Sequence, residues 1–198
     1  MSRAEPVGNT PLDPDEAKGL IPTHIATLDE LNEWEQANIV DAERWAFRRK
    51  RTDVLTVPFL LELHRKMFGD TWQWAGQTRT SEKTVGIHWW QIAESMANLC
   101  DDSSYWLAND VFSVDEAAAR FHHRLTAIHP FPNGNGRHAR LTADLLLVTH
   151  GRPRFDWGLG DLRKVGDTRG RYIAALRSAD QQDFSPLFEF LKLDLRTE

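Results

Sequence analysis

The side chains that could do chemistry are concentrated in twelve residues, 129–140, which read HPFPNGNGRHAR. The stretch begins with His129, and the proline after it predicts that the preceding helix ends at Ile128 and leaves the imidazole in an extended turn, facing a ligand. Histidine has an ordinary pKa of about 6.5, so at pH 7 it is mostly in the neutral form that accepts a proton. His129 is therefore a candidate general base.

The rest of this stretch is suited to binding an anion. Gly134 and Gly136 lack side chains and allow a tight turn in which main-chain N–H groups come close to a ligand. A helix predicted to start near Arg137 would add the positive end of its dipole. Arg137 and Arg140 would project from the first turn of that helix, where two cations are unfavourable unless an anion compensates them. A polyphosphate fits these features best.

Every fixed position of the stretch resembles the signature of the Fic (Fido) family, H-P-F-x-D/N-G-N-G-R-x-x-R. Two further segments extend the resemblance. Residues 74–80 are similar to the segment that leads into the β-hairpin flap of the family, and residues 172–191 are similar to its C-terminal helices. The resemblance thus covers about residues 55–193. The arrangement also resembles a group of short Fic proteins called mobile mystery protein B.

The resemblance implies a protein adenylyltransferase, which transfers AMP from ATP to a Ser, Thr or Tyr hydroxyl of a target protein, with pyrophosphate leaving. It makes His129 the catalytic base, and it makes ATP the co-substrate and Mg²⁺ the cofactor. Phe131 would anchor the loop by packing inward. The nucleotide-binding residues that the resemblance implies are Gly134, Asn135, Gly136, Arg137 and Arg140.

Asn133 departs from the usual family pattern, in which an aspartate or glutamate holds Mg²⁺ between the phosphates. An asparagine carbonyl oxygen can ligate a hard cation, but it lacks the formal charge, so the metal affinity should be weaker. Three outcomes stay open: the phosphates hold most of the Mg²⁺, the activity is low, or the donor is something other than ATP.

The flap is predicted over residues 78–90 as a short hairpin that grips a target segment by adding a strand to its edge. Main-chain pairing tolerates many sequences, so the flap says little about the target. Trp89 and Trp90 either line this surface or pack in the core. The target-docking residues that the resemblance implies are Thr78, Arg79, Thr80, Val85, Gly86 and Ile87.

Many Fic proteins carry an inhibitory helix with the pattern S/T-x-x-x-E-G/N. Its glutamate pairs with the second arginine of the signature and displaces the γ-phosphate. This chain has no full match, and the best-placed candidate is Glu35, although Leu31 and Gln36 depart from the pattern. A glutamate on a helix is usually a solvated residue, so inhibition by Glu35 is a hypothesis.

The elements that must position the site are mostly helical. Capping boxes at Thr27–Glu30 and Ser113–Glu116 open two helices, and Pro58 stands at the start of another. These patterns predict an all-α fold, a Fic-type helical bundle of six to eight helices with one short β-hairpin flap. The helices are expected over about 28–50, 57–68, 90–107, 114–128, 137–150, 172–179 and from 185 onward.

The domain organisation follows from composition. Residues 1–22 carry four prolines without helical periodicity, which predicts a loosely ordered N-terminal arm. Residues 23–198 are expected to form a single Fic domain. Within it, residues 28–50 form an N-terminal helical segment that carries Glu35, and the Fic core spans about residues 55–193.

Composition also limits the partners. With 29 acidic and 24 basic residues the chain has a net charge of −5, which disfavours nucleic-acid binding. No apolar run approaches the ~18 residues of a membrane span, so no membrane partner is expected. The single cysteine, Cys100, excludes an internal disulfide and fits a cytoplasmic protein. His122, His123 and His138 do not have the spacing of a zinc motif.

Two other interpretations stay open. The same fold could transfer another phosphate-linked group, such as phosphate, UMP or phosphocholine, although the intact Gly134–Arg137 run disfavours phosphate transfer. Alternatively, the chain is a catalytically weak nucleotide-binding or interaction module, for example one half of a toxin–antitoxin-like pair. ATP binding without turnover would identify such a module. A regulatory partner protein and homo-oligomerisation are compatible with the sequence, which does not identify the target.

Overall fold

The computed structural model describes residues 17–157 and 166–193, except for the side chain of Leu28. Within these ranges the chain forms seven α-helices and one 3₁₀ turn at Trp89–Gln91, and the prediction of an all-α fold is confirmed. The helices are α1 (Leu28–Phe47), α2 (Val57–Phe68), α3 (Ile92–Ala108), α4 (Val114–Ile128), α5 (Asn135–Thr149), α6 (Asp167–Asp180) and α7 (Ser185–Leu191).

The helix starts follow from local capping. At the start of α1, Thr27 Oγ1 accepts the Glu30 N–H at 3.2 Å, and the Glu30 carboxylate accepts the Thr27 N–H at 2.9 Å. Thr56 and Ser113 cap α2 and α4 with the side chain alone, accepting the Phe59 and Glu116 N–H groups. The return bond of a capping box is not made at Ser113, because the Glu116 carboxylate accepts from Arg120 instead. Each cap satisfies N–H groups that the helix itself leaves unpaired and contributes about 0.5–2 kcal/mol.

The core lies where α4 and α5 pack against each other and against α2. Three successive alanines, Ala117–Ala119, are fully buried in α4 and allow its neighbours to approach closely. Each large side chain buried here stabilises the fold by about 1.5–3 kcal/mol. The larger side chains of this core include Leu60, Leu63, Met67, Phe121, Leu125, Leu145 and Leu146. A second cluster, built on Ala119, Ala175, Ala179, Phe184 and Leu187, holds α6 and α7 against α4.

The β-hairpin predicted for the flap does not form. Residues 78–88 contain no strand, and the segment is irregular throughout. Its two ends instead bond to the chain just before the glycine-rich loop. The Arg79 N–H donates to the Pro130 carbonyl at 2.9 Å, and the Ile87 N–H lies 3.5 Å from the Ile128 carbonyl. The Arg79 and Ile87 N–H groups therefore pair with residues 130 and 128 rather than across a hairpin, so tertiary contacts override the strand propensity.

Most of the predicted N-terminal arm lies outside the described residues. Its last part contacts the segment before the flap: the Gly19 carbonyl accepts the Gln73 N–H, and the Ile21 N–H donates to the Thr71 carbonyl, both at 2.9 Å. An isolated antiparallel bridge joins Leu20 to Trp72. None of the helices within 17–157 and 166–193 is both long enough and apolar enough to cross a membrane.

Candidate functional site

His129 stands at the junction between α4 and the loop that leads to α5. The helix ends at Ile128, as predicted, but His129 is left-handed, with φ 54° and ψ 59°, rather than extended. The conformation is uncommon for a residue with a side chain. It arises because the His129 N–H still donates to the Leu125 carbonyl at 3.3 Å, which closes the last helical turn before the chain reverses.

Residues 130–134 form a loop that Asn135 closes from inside. The Asn135 Oδ1 accepts the Phe131 N–H at 2.9 Å, and its Nδ2 donates to the Phe131 carbonyl at 2.8 Å. The Phe131 ring is fully buried and stacks on His64 with 3.6 Å between ring centroids. The side chain of Asn135 therefore fixes the shape of the loop, a role that its place in the signature did not indicate.

Of the two glycines singled out in the sequence, Gly134 is the one that the turn requires. It has φ 80° and is the N-cap of α5, which begins at Asn135, two residues earlier than predicted. A Cβ on Gly134 would lie 2.6 Å from the ring of Phe68. Gly136 lies within the first helical turn. No side chain caps α5, so its first N–H groups, which a helix cannot pair internally, are available to an anion.

His64 is a site residue that the sequence analysis missed. Its Nδ1 accepts the Gly76 N–H at 2.9 Å, so the ring proton lies on Nε2, which donates to the Asn133 carbonyl at 3.1 Å. Burial, followed by the neighbouring His138, holds the pKa of His64 well below its ordinary value. A neutral His64 thus supports the loop from below. The only sequence signal was a histidine among the apolar residues of α2.

The other buried histidines join helices and do not form a metal centre. His138 Nε2 donates to the Leu60 carbonyl at 2.9 Å, and burial lowers the pKa of His138 to about 4. His122 Nε2 lies 3.0 Å from the Tyr172 hydroxyl, and His123 Nε2 lies 2.9 Å from Asp180. Across the described part of the chain, no three His, Cys, Asp or Glu side chains are grouped as metal ligands would be.

Arg137 is held by Glu35. The Arg137 Nη1 donates to Glu35 Oε2 at 2.6 Å, and Trp72 Nε1 donates to the other carboxylate oxygen at 2.7 Å. Glu35 is 5 % exposed, unlike the solvated glutamate that is usual on a helix. The inhibitory pattern of the family pairs the glutamate with the second arginine of the signature, but here Glu35 pairs with the first. The compensating anion for Arg137 is thus supplied by α1.

Arg140, the second arginine, is held from the C-terminal side of the domain. Its guanidinium carbon lies 5.7 Å from the centre of the buried Tyr172 ring. Arg169, one turn earlier on α6, lies close enough that burial and the Arg140 charge together lower its pKa. Helix α6 therefore positions Arg140 and places another cation beside it.

Asn133 faces its own loop. Its side-chain oxygen accepts the Gly134 N–H, and its main-chain carbonyl accepts the His64 proton. Mg²⁺ prefers an octahedral shell of carboxylate, phosphate and water oxygens. One neutral oxygen that already accepts a hydrogen bond does not amount to such a shell, so the protein residues do not fit a preassembled magnesium site.

The flap residues lie directly over His129. The imidazole is 8 % exposed, and its pKa is lowered to about 4 by burial and then by the nearby charge of Arg79. Of the residues predicted to dock a target, Arg79 is buried, whereas the others are half-buried or exposed: Thr78, Thr80, Val85, Gly86 and Ile87.

The two tryptophans after the flap are exposed. Trp89 and Trp90 are 42 % and 59 % accessible, so neither packs in the core. Trp90 stacks on His88 with 4.4 Å between ring centroids, and His88 in turn lies 3.2 Å from the Glu82 carboxylate. The segment thus presents an aromatic surface beside the flap.

Comparison with known proteins places this loop in a family. The Fic/DOC family model matches residues 54–147. Protein adenylyltransferase fic-1 of Caenorhabditis elegans is 30% identical over 146 residues, covering 72% of this chain and 27% of that protein. Protein adenylyltransferase Fic of Nematostella vectensis is 27% identical over 146 residues, covering 72% and 33%. The chain thus spans between a quarter and a third of the length of these relatives.

Solved structures agree with this placement. Residues 134–508 of Fic-1 from C. elegans superpose with a TM-score of 0.68 and 25% identity, covering 88% of this chain and 51% of that one. BepC from Bartonella tribocorum, solved with bound AMPPNP, superposes with a TM-score of 0.67 and 20% identity, covering 89% and 95%, and at that identity it supports the fold alone. This chain therefore carries a Fic/DOC family domain.

Proposed function

We propose that this chain is a protein adenylyltransferase that transfers AMP from ATP to a Ser, Thr or Tyr hydroxyl of a target protein. One observation carries the proposal: a single short loop joins His129 to the uncapped N-terminus of α5 and to Arg137. A proton acceptor and an anion-binding helix end are thus held in one rigid turn. The names of the relatives supply the reaction class, and with it ATP as the donor.

In the proposed reaction the target hydroxyl oxygen attacks the α-phosphorus of ATP. The new bond joins that oxygen to the α-phosphorus, and the bond from the α-phosphorus to the bridging oxygen of the β-phosphate breaks. The hydroxyl proton passes to His129, and pyrophosphate leaves with the electron pair of the broken bond. A hydroxyl is a weak nucleophile at neutral pH, which is why a positioned base is needed.

The low pKa of His129 fits the role of general base once the negative charge of bound ATP is taken into account. At about 4 the pKa keeps the imidazole neutral at pH 7 and ready to accept a proton. The same low value would make it a weak base if nothing changed on binding. A triphosphate placed beside the ring adds negative charge, which favours the protonated imidazole and raises its pKa towards neutrality. The bound nucleotide would therefore strengthen the base that it needs.

The leaving pyrophosphate develops charge that fixed donors must meet. The first N–H groups of α5, which no side chain caps, can supply such donors. Arg137 offers a bidentate fork for the phosphates, and Arg140 extends the positive surface towards their far end. Gly134, Asn135 and Gly136 contribute main-chain donors. Mg²⁺ would neutralise phosphate charge when bound, and the phosphates and water would supply most of its ligands, with at most the Asn133 oxygen from the protein.

Glu35 is proposed to restrain the enzyme. The pair with Arg137 engages a guanidinium that the phosphates would otherwise bind, and Trp72 fixes the carboxylate from its other side. Because the contact is made with the first arginine, the restraint acts on the phosphates next to α5. An activator of this protein would have to move α1 or break this ion pair.

The proposal is tested with ATP labelled at either the α- or the γ-phosphate, using the Glu35→Ala protein, Mg²⁺ and lysate proteins as acceptors. We expect transfer of the α label only. A second substitution in the Glu35→Ala protein, His129→Ala, should abolish the transfer. The control substitution His150→Ala, which changes an exposed histidine at the far end of α5, should leave it unchanged.

Transfer of the γ label would indicate phosphate transfer and would contradict the proposal. If the α label is still transferred by the His129→Ala variant, His129 is not the general base. ATP binding without any transfer would favour the nucleotide-binding module.

A further inference from the structure

Arg79 makes an unusual set of contacts for a residue in an irregular segment. Its Nε donates to the His129 carbonyl at 2.7 Å, and its Nη1 donates to the Ser81 carbonyl at 2.8 Å. Its Nη2 donates to the Ile87 carbonyl. The side chain is buried, with 2 % of the residue exposed. One guanidinium therefore bonds to both ends of the flap and to the main chain of His129 at the same time.

The flap backbone also touches His129 directly. Gly86 has φ 105°, and a Cβ at that position would lie 2.6 Å from the Cβ of His129 and 2.9 Å from the guanidinium of Arg79. Only a residue without a side chain can approach this closely. The Arg79 N–H adds a further anchor through its bond to the Pro130 carbonyl. The flap and the loop thus pack as one unit around the Arg79 side chain.

We propose that Arg79 is a positioning residue that locks the flap over His129 and fixes the left-handed turn from which the imidazole projects. The proposal assigns Arg79 a role different from target docking, since its donors face the interior of the protein. It rests on the proposed function for its catalytic meaning, but the geometry it describes can be measured without any turnover.

Two physical effects follow from this lock. First, the closed flap removes water from around the imidazole, and a cation held within the same unit disfavours a second positive charge on the ring. Lys83 acts in the same direction from the flap. Second, the target is received by the exposed part of the flap, Glu82 and residues 84–86, while its two ends remain fixed. A flap fixed at both ends presents its main chain in one conformation, which lowers the entropic cost of adding a strand.

A lysine cannot replace Arg79 in this arrangement. The three acceptors are main-chain carbonyls on Ser81, Ile87 and His129, and the planar fork of arginine can face them together. An ammonium group is a single point charge, so Arg79→Lys should keep much of the electrostatic effect but lose the bridge. Arg79→Met should lose both.

The test combines NMR titration of the His129 imidazole with hydrogen exchange of the flap amides 81–87, in wild type, Arg79→Lys and Arg79→Met. Arg44→Met, an exposed arginine on α1, is the matched control. We expect flap exchange to rise by about tenfold or more in both Arg79 variants and not in the control. We expect the His129 pKa to rise from about 4 towards its ordinary value, further in Arg79→Met than in Arg79→Lys.

Unchanged flap exchange and an unchanged His129 pKa in a folded Arg79 variant would overturn the proposal. If Arg79→Met does not fold, Arg79→Lys alone decides it through flap exchange. Flap exchange and the His129 pKa are measured without AMP transfer, so both results remain valid even if the protein does not transfer AMP. If the adenylyltransferase activity is also present, kcat should fall in Arg79→Lys and its acidic pH limb should move upward.

Discussion

The carboxylate of Glu35 accepts a hydrogen bond from the guanidinium of Arg137 at 2.6 Å, although the two residues lie 102 positions apart in the sequence. The pair joins α1 to the first turn of α5. Both side chains are mostly buried, and breaking such a pair from one side leaves an uncompensated charge. A phosphate that replaced the carboxylate would satisfy the arginine again. The pair therefore makes α1 and a bound nucleotide competitors for one guanidinium.

Replacing Glu35 with alanine should strengthen nucleotide binding, because Arg137 becomes available to phosphate. We expect the Kd for ATP to fall about tenfold, which corresponds to about 1.4 kcal/mol. The free enzyme should lose about 1–3 kcal/mol of stability, since Trp72 also loses its acceptor. Calorimetric titration with ATP and urea unfolding measure the two effects. Glu33→Ala, an exposed change on the same helix, should alter neither, and equal affinities in the Glu35 variant and wild type would contradict the competition.

Gly134 and Gly170 should respond to alanine with opposite signs. At Gly134 the φ of 80° and the ring of Phe68 exclude a Cβ, so Gly134→Ala should destabilise the fold by about 1–3 kcal/mol and weaken ATP binding. At Gly170, within α6, a Cβ meets nothing within 4 Å, so alanine should stabilise by about 0.5–1 kcal/mol. Urea unfolding of both variants checks the signs. If Gly134→Ala did not destabilise the protein relative to Gly170→Ala, the claim that the turn requires a glycine at position 134 would be refuted.

The buried histidines should make the fold acid-sensitive. The pKa values of His64, His122, His129 and His138 are all lowered, chiefly by burial. The unfolded chain therefore binds more protons than the folded one, and stability falls as the pH drops from about 6.5 towards 4. For His138 alone, a shift from 6.5 to about 4 corresponds to roughly 3 kcal/mol.

Urea unfolding at several pH values between 7 and 4.5 measures this loss. His138→Gln keeps a donor for the Leu60 carbonyl but cannot titrate, so its stability should depend less steeply on pH than that of wild type. His150→Gln, at an exposed position, should follow the wild-type curve. Stability that stays constant across this range would contradict the burial of neutral histidines.

Replacing Asn133 with aspartate should reduce the magnesium requirement. The carboxylate can still accept the Gly134 N–H and adds the charge that a hard cation prefers. We expect the Mg²⁺ concentration for half-maximal transfer to fall by about tenfold. Titrating Mg²⁺ in the labelling assay measures it, with the exposed change Asn109→Asp as control. An unchanged requirement would mean that residue 133 does not contact the metal.

Local sequence signals predicted the number and approximate positions of the helices, but not the left-handed conformation of His129. The caps at Thr27, Thr56 and Ser113 and the end of α4 at Ile128 depend on neighbours within four residues, and such patterns are visible in the chain itself. The contacts that finish the site are not local. Arg79 meets His129 across 50 residues, and each such pairing depends on how the helices pack.

The conformation of the flap and the arginine partner of Glu35 were not predictable, because both depend on residues far apart in the sequence. Threonines and aromatic residues favoured strands over residues 78–90, but the main-chain N–H groups of Arg79 and Ile87 bond to the carbonyls of Pro130 and Ile128 instead. The sequence pattern pointed to the second arginine as the partner of Glu35. In the structure Trp72 binds one carboxylate oxygen of Glu35, and the other oxygen accepts from the first arginine, Arg137.

The most direct test of the central claim is the mass of the acceptor. Lysate proteins are incubated with ATP, Mg²⁺ and the Glu35→Ala protein, and the modified peptides are identified by mass spectrometry. The account predicts peptides that carry one adenylate on a hydroxyl side chain and that disappear when His129→Ala is added. Peptides that carry a phosphate alone, or adenylated peptides that persist without His129, would contradict it.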